Sequence, residues 1–360
     1  MDVESASNYE RIDKAAERMD TPYDAWAASQ GIDVVRGYGV ANVYELPLKW
    51  WDRMGGHGVF INLQGTGYLD DAYVCSIAPG KSLNPQRHLF EELVYILEGR
   101  GATTVWQGNG SKQSFEWQKG SLFAIPLNAW YQHHNGQGDQ EARLLAVTDA
   151  PLVFNLFHCE DFIMNNPYVF SDRFKGEEGY FAGKGRLYKD RVLETNFVAD
   201  AINIEPIAWH ERGKGNRTIF FELAESTMGA HVSEFPVGIY KKAHRHGPGA
   251  HVMILTGEGY SFMWPEGQER MRFDWKPGSI VVPPEEWFHQ HFNSGSRPAR
   301  YVALKMLSRR YKLVPGKIKS DVSIKQGGNQ IEYEDEEPEI RRIFEEACAR
   351  SGAEVRMPPR

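Results

Sequence analysis

The sequence predicts an all-β chain of two tandem barrels with helical extensions at either end, and three observations carry that prediction. The first is an internal repeat: residues 80–135 recur at 238–293 with a constant offset of 158, as from Gly80 to Gly238, and no gap. The second is a pattern of short apolar runs cut by turn signals, such as Glu98-Gly99-Arg100-Gly101 and Pro277-Gly278, the spacing of an antiparallel sandwich or barrel. The third is composition: 35 glycines in 360 residues, many Trp and Tyr, and no heptad array that would make a bundle.

The chain divides into an N-terminal extension (1–58), a first barrel (59–155), an intervening segment (156–204), a second barrel (205–310) and a C-terminal extension (311–360). The first fifty residues read as helical and then irregular. Thr21-Pro22-Tyr23-Asp24 supplies a cap, a proline at the first helical position and an acid in the first turn, and Gly31 stands where that helix should stop. Tyr38 to Leu46 reads as an edge strand, and Trp50, Trp51 and Met54 as the residues that strap it to the body. Within the repeat, Arg87-His88 falls on Arg245-His246, Ile96-Leu97 on Ile254-Leu255, Trp117 on Trp275, Gly120-Ser121 on Gly278-Ser279, and Gln132-His133 on Gln290-His291. The segment between the copies is rich in Asn, Gly and aromatics, too aromatic for a free linker, and is expected to pack over a barrel or across the seam. Asp335 to Pro338 opens a helix predicted to run to Arg350, with acids before its start and Arg341, Arg342 and Arg350 further along, as the helix dipole favours; the acidic run from Glu332 to Glu339 reads as its solvated approach.

A net charge of −7 gives no basic footprint for nucleic acid. The segment Met1 to Ser5 has neither the basic nor the apolar region of a secretory signal, and no run reaches membrane-spanning length. A soluble cytoplasmic protein is expected, with no membrane partner. Cys75, Cys159 and Cys348 are odd in number, far apart and in no CxxC pattern, so they read as small buried hydrophobes.

The chemistry concentrates in Lys242-Ala243-His244-Arg245-His246-Gly247-Pro248-Gly249-Ala250-His251 and Trp287-Phe288-His289-Gln290-His291. Histidines at i and i+2 share one face of a strand, so His244 with His246, and His289 with His291, can converge from two strands. Convergent neutral imidazoles point to a metal. His291 and its counterpart His133 persist in both copies, which favours a supporting hydrogen-bonding role beside the metal. His251 should point away from its neighbour Ala250. Arg87 and Arg245 alternate away from the histidines and are expected to form ion pairs at the barrel exterior or the domain interface; Trp130, Trp287 and Phe288 line a pocket mouth or fill core.

The paired segments Gly80–Gly99 with Gly120–Asn135, and Gly238–Gly257 with Gly278–Asn293, resemble the two motifs of the cupin superfamily, four occurrences over about two thirds of the chain. The resemblance implies two cupin barrels (double-stranded β-helix, jelly-roll) in a bicupin. It places metal ligands at His244, His246 and His289, with Ala250 at the position of the family's glutamate. The HRH motif followed by alanine is similar to the gentisate 1,2-dioxygenase branch, whose enzymes use three-histidine Fe(II), although there the iron is usually in the N-terminal barrel. In the first copy Gln86 and Tyr131 replace two of the histidines, leaving His88 and Glu92, with His133 the nearest substitute for a residual site; the other reading is a barrel that has lost its metal and is structural or binds a small molecule.

The function expected is a mononuclear non-haem Fe(II) dioxygenase. It would act with O2 on a small anionic chelating substrate, a hydroxy-aromatic acid, catecholate or dicarbonyl, because three neutral ligands leave the metal's full charge and open positions. The alternatives are an isomerase or decarboxylase using Mn, Ni or Zn as Lewis acid, and a non-catalytic small-molecule-binding bicupin. A homo-oligomer, dimer or tetramer, is expected from the need to cover barrel edges. No cationic residue is assigned at this level to the substrate's acidic group.

Overall fold

The computed structural model describes residues 20–66, 68–108, 110–188, 191–247, 249–306, 308–312 and 321–358. The first nineteen residues, Asn109 in one turn signal and Pro248 in the histidine stretch lie outside them. Each repeat forms a barrel of two sheets, with eight and three strands in the first and nine and four in the second. Period-two alternation decides which way every side chain faces. On the strand Gly56–Leu63, Val59, Ile61 and Leu63 face the second barrel while Phe60 joins the first barrel's interior. On Gly229–Phe235, Ala230 and Val232 face the seam, while His231 and Ser233 face the second barrel's cavity. The two large sheets therefore meet face to face over a continuous aliphatic layer that includes Val74, Leu145, Phe221, Met253, Val302 and Leu304. Burial of each such side chain stabilises by about 1.5–3 kcal/mol.

The repeat extends further in three dimensions than in sequence. The strand Val34–Gly37 runs parallel to Gly56–Leu63, and Val192–Thr195 runs parallel to Arg217–Glu222. The next strand on each side crosses over. Gly39–Val40, which precedes the first barrel, pairs with Ile280–Val281 of the second; Phe197–Val198, which precedes the second, pairs with Leu122 and Phe123 of the first. The anchoring bonds correspond one for one. Val43 N–H donates to Gly278 O and Ala201 N–H to Gly120 O, each at 2.8 Å. Ser279 Oγ donates to Ala41 O at 2.7 Å and Ser121 Oγ to Ala199 O at 2.9 Å. Gly278 and Gly120 are needed here: φ is near +90° at both, and a Cβ would strike Asn42 and Tyr44 in one case and Ile202 in the other.

The capped helix forms as expected over Pro22–Ser29, with Thr21 and Asp24 closing a reciprocal box. Tyr38 to Leu46 is not one edge strand. It is the two-residue strand Gly39–Val40 followed by a 3₁₀ turn at Val43–Glu45, because Asn42 caps the Tyr44 N–H and bends the chain. Trp51 and Met54 are core, but Trp50 is 55% exposed. The intervening segment serves both expected purposes: Phe174 and Phe181 enter the first barrel's core, and its strands cross the seam. The C-terminal helix spans Pro338–Ser351. Its acidic approach is not simply solvated, since Glu336 is buried and accepts from Tyr240 Oη and Gln290 Nε2, and Glu332 pairs with Lys242. Cys75 and Cys348 are buried, but Cys159 is exposed, at the cap of the short helix Glu160–Asn165.

Candidate metal centre

The ligand positions are set by a short ladder that ends in an irregular bridge. Ile239 and Tyr240 pair with Asn293 and Phe292, Lys241 N–H donates to His291 O, and His244 and His289 then exchange backbone hydrogen bonds of 3.1 and 2.9 Å. One extra residue on the 241–244 side makes this a bulge, so His244 and His246 stand on a loop. The expectation of a strand is corrected there. Their shared face survives: ring centroids are 5.5 Å apart for His244 and His246, 4.2 Å for His244 and His289, and 5.0 Å for His246 and His289. One nitrogen from each lies within 4.8 Å of the others, the one such group among the described residues.

The tautomers suit metal ligation. Nδ1–H of His244 donates to Lys242 O and Nδ1–H of His289 to Trp287 O, both at 3.2 Å, which leaves the Nε2 lone pairs free. Burial, then the charge of Arg212, holds His244 well below the usual histidine range. Burial, then Lys305, does the same for His246. Burial pushes His289 down to about 3, against the bond to Trp287 O. Three neutral imidazoles converging without a proton between them are a donor set that fits a divalent cation.

His291 follows His289 on the strand Phe288–Asn293 but turns its Nδ1 to Ser261 Oγ at 2.7 Å, and Ser261 Oγ also accepts from Trp275 Nε1 at 3.0 Å. The first barrel repeats the arrangement with His133, Thr103 and Trp117 at 2.7 and 2.9 Å. His251 is fully buried on the far side of its strand, with Nδ1 3.7 Å from Asp70 Oδ1, while Ala250 lines the cavity. Arg245 makes the expected ion pair, with Glu266 at 2.8 Å. Arg87 makes none among the described residues; its guanidinium lies 4.8 Å over the Trp130 ring, an aromatic partner. Trp287 packs on Tyr38 at 5.9 Å, and Phe288 is core.

Sequence reasoning missed the other wall of the cavity. Arg212, Lys241, Lys305 and Arg309 line the same space of about 50 Å³ as the three histidines, and no carboxylate does among the described residues. The cations come from four places in the chain, on the inner face of the nine-stranded sheet and the loops beside it, so no local motif announces them. Only the period-two register of His231, Ser233, Tyr301 and Lys305 could have placed part of the set. Lys241 Nζ donates to Ser233 Oγ at 2.6 Å and Tyr301 Oη at 2.8 Å. Burial, then Arg212, holds it well below the usual lysine range. Burial, then Arg309 and Arg212, pushes Lys305 down to about 7, with Asp70 opposing.

In the first barrel the corresponding positions close on themselves. His88 donates Nδ1–H to Phe90 O at 2.7 Å, and its Nε2 faces Tyr131 Oη at 3.0 Å and Glu92 Oε2 at 3.3 Å. Tyr131 Oη donates to the same carboxylate at 3.1 Å. Burial would raise Glu92, but the hydrogen bond and charge of His88 outweigh it and hold the carboxyl below its ordinary value. His133 Nε2 is buried without a partner and does not join His88 and Glu92 in a three-ligand group. Tyr23, Trp26 and Trp51 fill the remaining space, about 20 Å³.

Residues 73–148 match the cupin domain family. A 5-aminosalicylate 1,2-dioxygenase from a Comamonas species is 31% identical over 80 residues, which cover 22% of this chain and 20% of that enzyme. Among solved structures, a deletion mutant of Bacillus subtilis oxalate decarboxylase superposes with a TM-score of 0.52 at 13% identity, covering 76% of this chain and 78% of that one. A second mutant of the same enzyme gives 0.52 at 13% over 80% and 86%. No helix among the described residues is long and apolar enough to cross a membrane.

Proposed function

Starting from a two-barrel cupin architecture with a cupin domain at residues 73–148, we propose that the chain is a metal-dependent enzyme whose active site is the second barrel. It acts as a mononuclear non-haem Fe(II) dioxygenase on a small anionic chelating substrate. The observation that carries this reading is the meeting, in one cavity, of three neutral histidines with the basic side chains Arg212, Lys241, Lys305 and Arg309, and no acid among the described lining residues.

His244, His246 and His289 would hold the metal, which when bound supplies the Lewis acidity and the O2 chemistry. The rest falls to the protein. The Lys242 and Trp287 carbonyls fix two of the imidazole rings, and the Ser261–His291 pair supports the strand that carries His289. The cations attract and orient the substrate's acidic group, and the enclosed walls Phe220, Val252 and Pro283 limit water. Lys241, fixed by Ser233 and Tyr301, would present its amine to the cavity that the three histidines line. The partial likeness to a 5-aminosalicylate 1,2-dioxygenase supports O2 chemistry. Likeness in fold to oxalate decarboxylase, with a cavity this small, favours a second reading: an O2-independent decarboxylase or isomerase on Mn, Ni or Zn.

The test is metal analysis of anaerobically purified protein, followed by O2 uptake with gentisate, salicylates, catechols and β-dicarbonyls and by CO2 release from oxalate. Stoichiometric iron with substrate-dependent O2 consumption, lost in His246→Ala, supports the dioxygenase. Manganese or zinc with O2-independent turnover moves the function to the second reading.

A further inference from the structure

At the mouth of the first barrel, Gln86 stands where the repeat puts His244, and its Nε2 donates to Arg53 O at 3.0 Å. Asn84 Nδ2 donates to the same carbonyl at 3.2 Å. These two bonds pin the backbone of Arg53 at the rim. Its guanidinium lines both the small inner cavity and an outer cleft of about 600 Å³, within the range of ligand clefts, about 300–1,000 Å³. The one hydrogen bond of that guanidinium among the described residues runs from Nη2 to Met164 Sδ at 3.1 Å, a weak acceptor.

Arg87 lines the same cleft with its donors equally unspent. The guanidinium is held over the Trp130 ring, and the buried Nε has no hydrogen-bond partner. The repeat supplies a control. Arg245 lies over Phe288 in the same way, at 4.6 Å, but is neutralised by Glu266 at 2.8 Å; the residue of the first copy that corresponds to Glu266 is Gly108.

The cleft also carries negative charge. Glu160 and Asp161, from the helix Glu160–Asn165, line it as well. Glu160 Oε1 accepts from Trp26 Nε1 at 3.3 Å and Asp161 Oδ1 from Asn165 Nδ2 at 2.8 Å, so each carboxylate is oriented by a neutral donor and keeps its charge uncompensated. Glu160 acts electrostatically on Arg53, yet among the described residues no ion pair joins these acids to the two arginines. A plain anion entering the cleft meets two carboxylates, and a plain cation meets two guanidinium groups. A molecule with both charges answers both, through charge-assisted hydrogen bonds that are stronger than neutral ones.

We propose that this cleft binds a small zwitterion, its acidic group on Arg53 and Arg87 and its ammonium group on Glu160 and Asp161. The site is independent of the metal reading of the second barrel. Gln86 is a positioning residue in it, acting through the Arg53 carbonyl.

The test is calorimetric titration of the full chain with 4-aminobutanoate and 6-aminohexanoate, whose separated charges make them poor chelators. Alkanoates and alkylamines of the same chain length serve as single-charge controls. At least one of the zwitterions should bind about tenfold or more tighter than either of its controls, the ratio expected of one charge-assisted contact. Arg53→Gln should erase the advantage over the alkylamine. Glu160→Gln combined with Asp161→Asn, which keeps the bonds to Trp26 and Asn165, should erase the advantage over the alkanoate. Arg87→Gln is the second variant should Arg53→Gln fail to fold. An advantage that survives these substitutions arises elsewhere on the chain, the second cavity included, and overturns the inference. Alkanoate binding as tight as that of the zwitterions overturns it too, as does the absence of heat with both zwitterions at millimolar concentration.

Discussion

Lys305→Met should make the metal-free protein more stable, and the gain should depend on pH in a defined way. Lys305 is 7% exposed, and its folded-state pKa is pushed down to about 7 from an ordinary 10.5. Between those values the unfolded chain binds a proton that the folded chain does not, so stability rises with pH through the window, and the penalty is full below pH 7. Linkage makes that penalty about 4 kcal/mol at pH 7 and about 2 kcal/mol at pH 9. Methionine keeps the length of the side chain and removes the charge, so most of this should appear as stabilisation. The assay is guanidinium unfolding followed by tryptophan fluorescence at pH 6, 7, 8 and 9, without divalent metal or organic anions. A variant that is less stable than the parent, or whose gain does not shrink as pH rises, would refute the account of Lys305 as a buried charge held against its own cost.

Four further outcomes are expected. The wild-type chain should bind one divalent metal, and Gln86→His combined with Tyr131→His should raise the stoichiometry to two by elemental analysis, since those substitutions place imidazoles beside His88 and Glu92. His244→Ala should abolish metal uptake and remove the metal-induced rise in thermal stability, about 2.7 kcal/mol at a hundredfold excess over Kd. Ser261→Ala and Thr103→Val each orphan a buried histidine and a tryptophan N–H, so both should cost about 1–3 kcal/mol by denaturation, while only the Ser261 variant should weaken metal binding, measured by competition with a chelator. Asp71, raised by burial to about 8, binds its proton more tightly folded than unfolded; its contribution therefore falls as pH rises from 4 to 8, and Asp71→Asn should flatten that part of the pH–stability profile.

The barrels were legible because their evidence is local and repeated: glycine and proline at turns, alternating apolar residues between, and the same spacing twice. The histidine triad was legible for the same reason, since His244 and His246 adjoin in sequence and the defective first copy shows which histidines are particular to the second. Three things were hidden by their non-local origin. The bulge before His244 depends on how 239–246 registers against 288–293, and an i, i+2 pattern reads as strand whether or not a residue is inserted. Arg212, Lys241, Lys305 and Arg309 meet only because the end of one strand, a 3₁₀ turn and two irregular stretches fold over one space. Glu336 reads as part of an acidic surface run, and only its docking against Tyr240 and Gln290 shows that it is buried.

The crossed arms at Gly39–Val40 and Phe197–Val198 give the first barrel a structural task that needs no metal position. Each half donates the strand that finishes the other's sheet, and deleting residues 1–155 would strip the second barrel of its edge partner at Ile280–Val281. That edge runs into Val282 and Pro283, and Pro283 lines the wall of the metal cavity. Two fragments cut within the intervening segment should accordingly recover structure only when refolded together. Packing in the first barrel thereby bears on the wall of the candidate metal cavity in the second, across the same strand pairing that joins the two sheets.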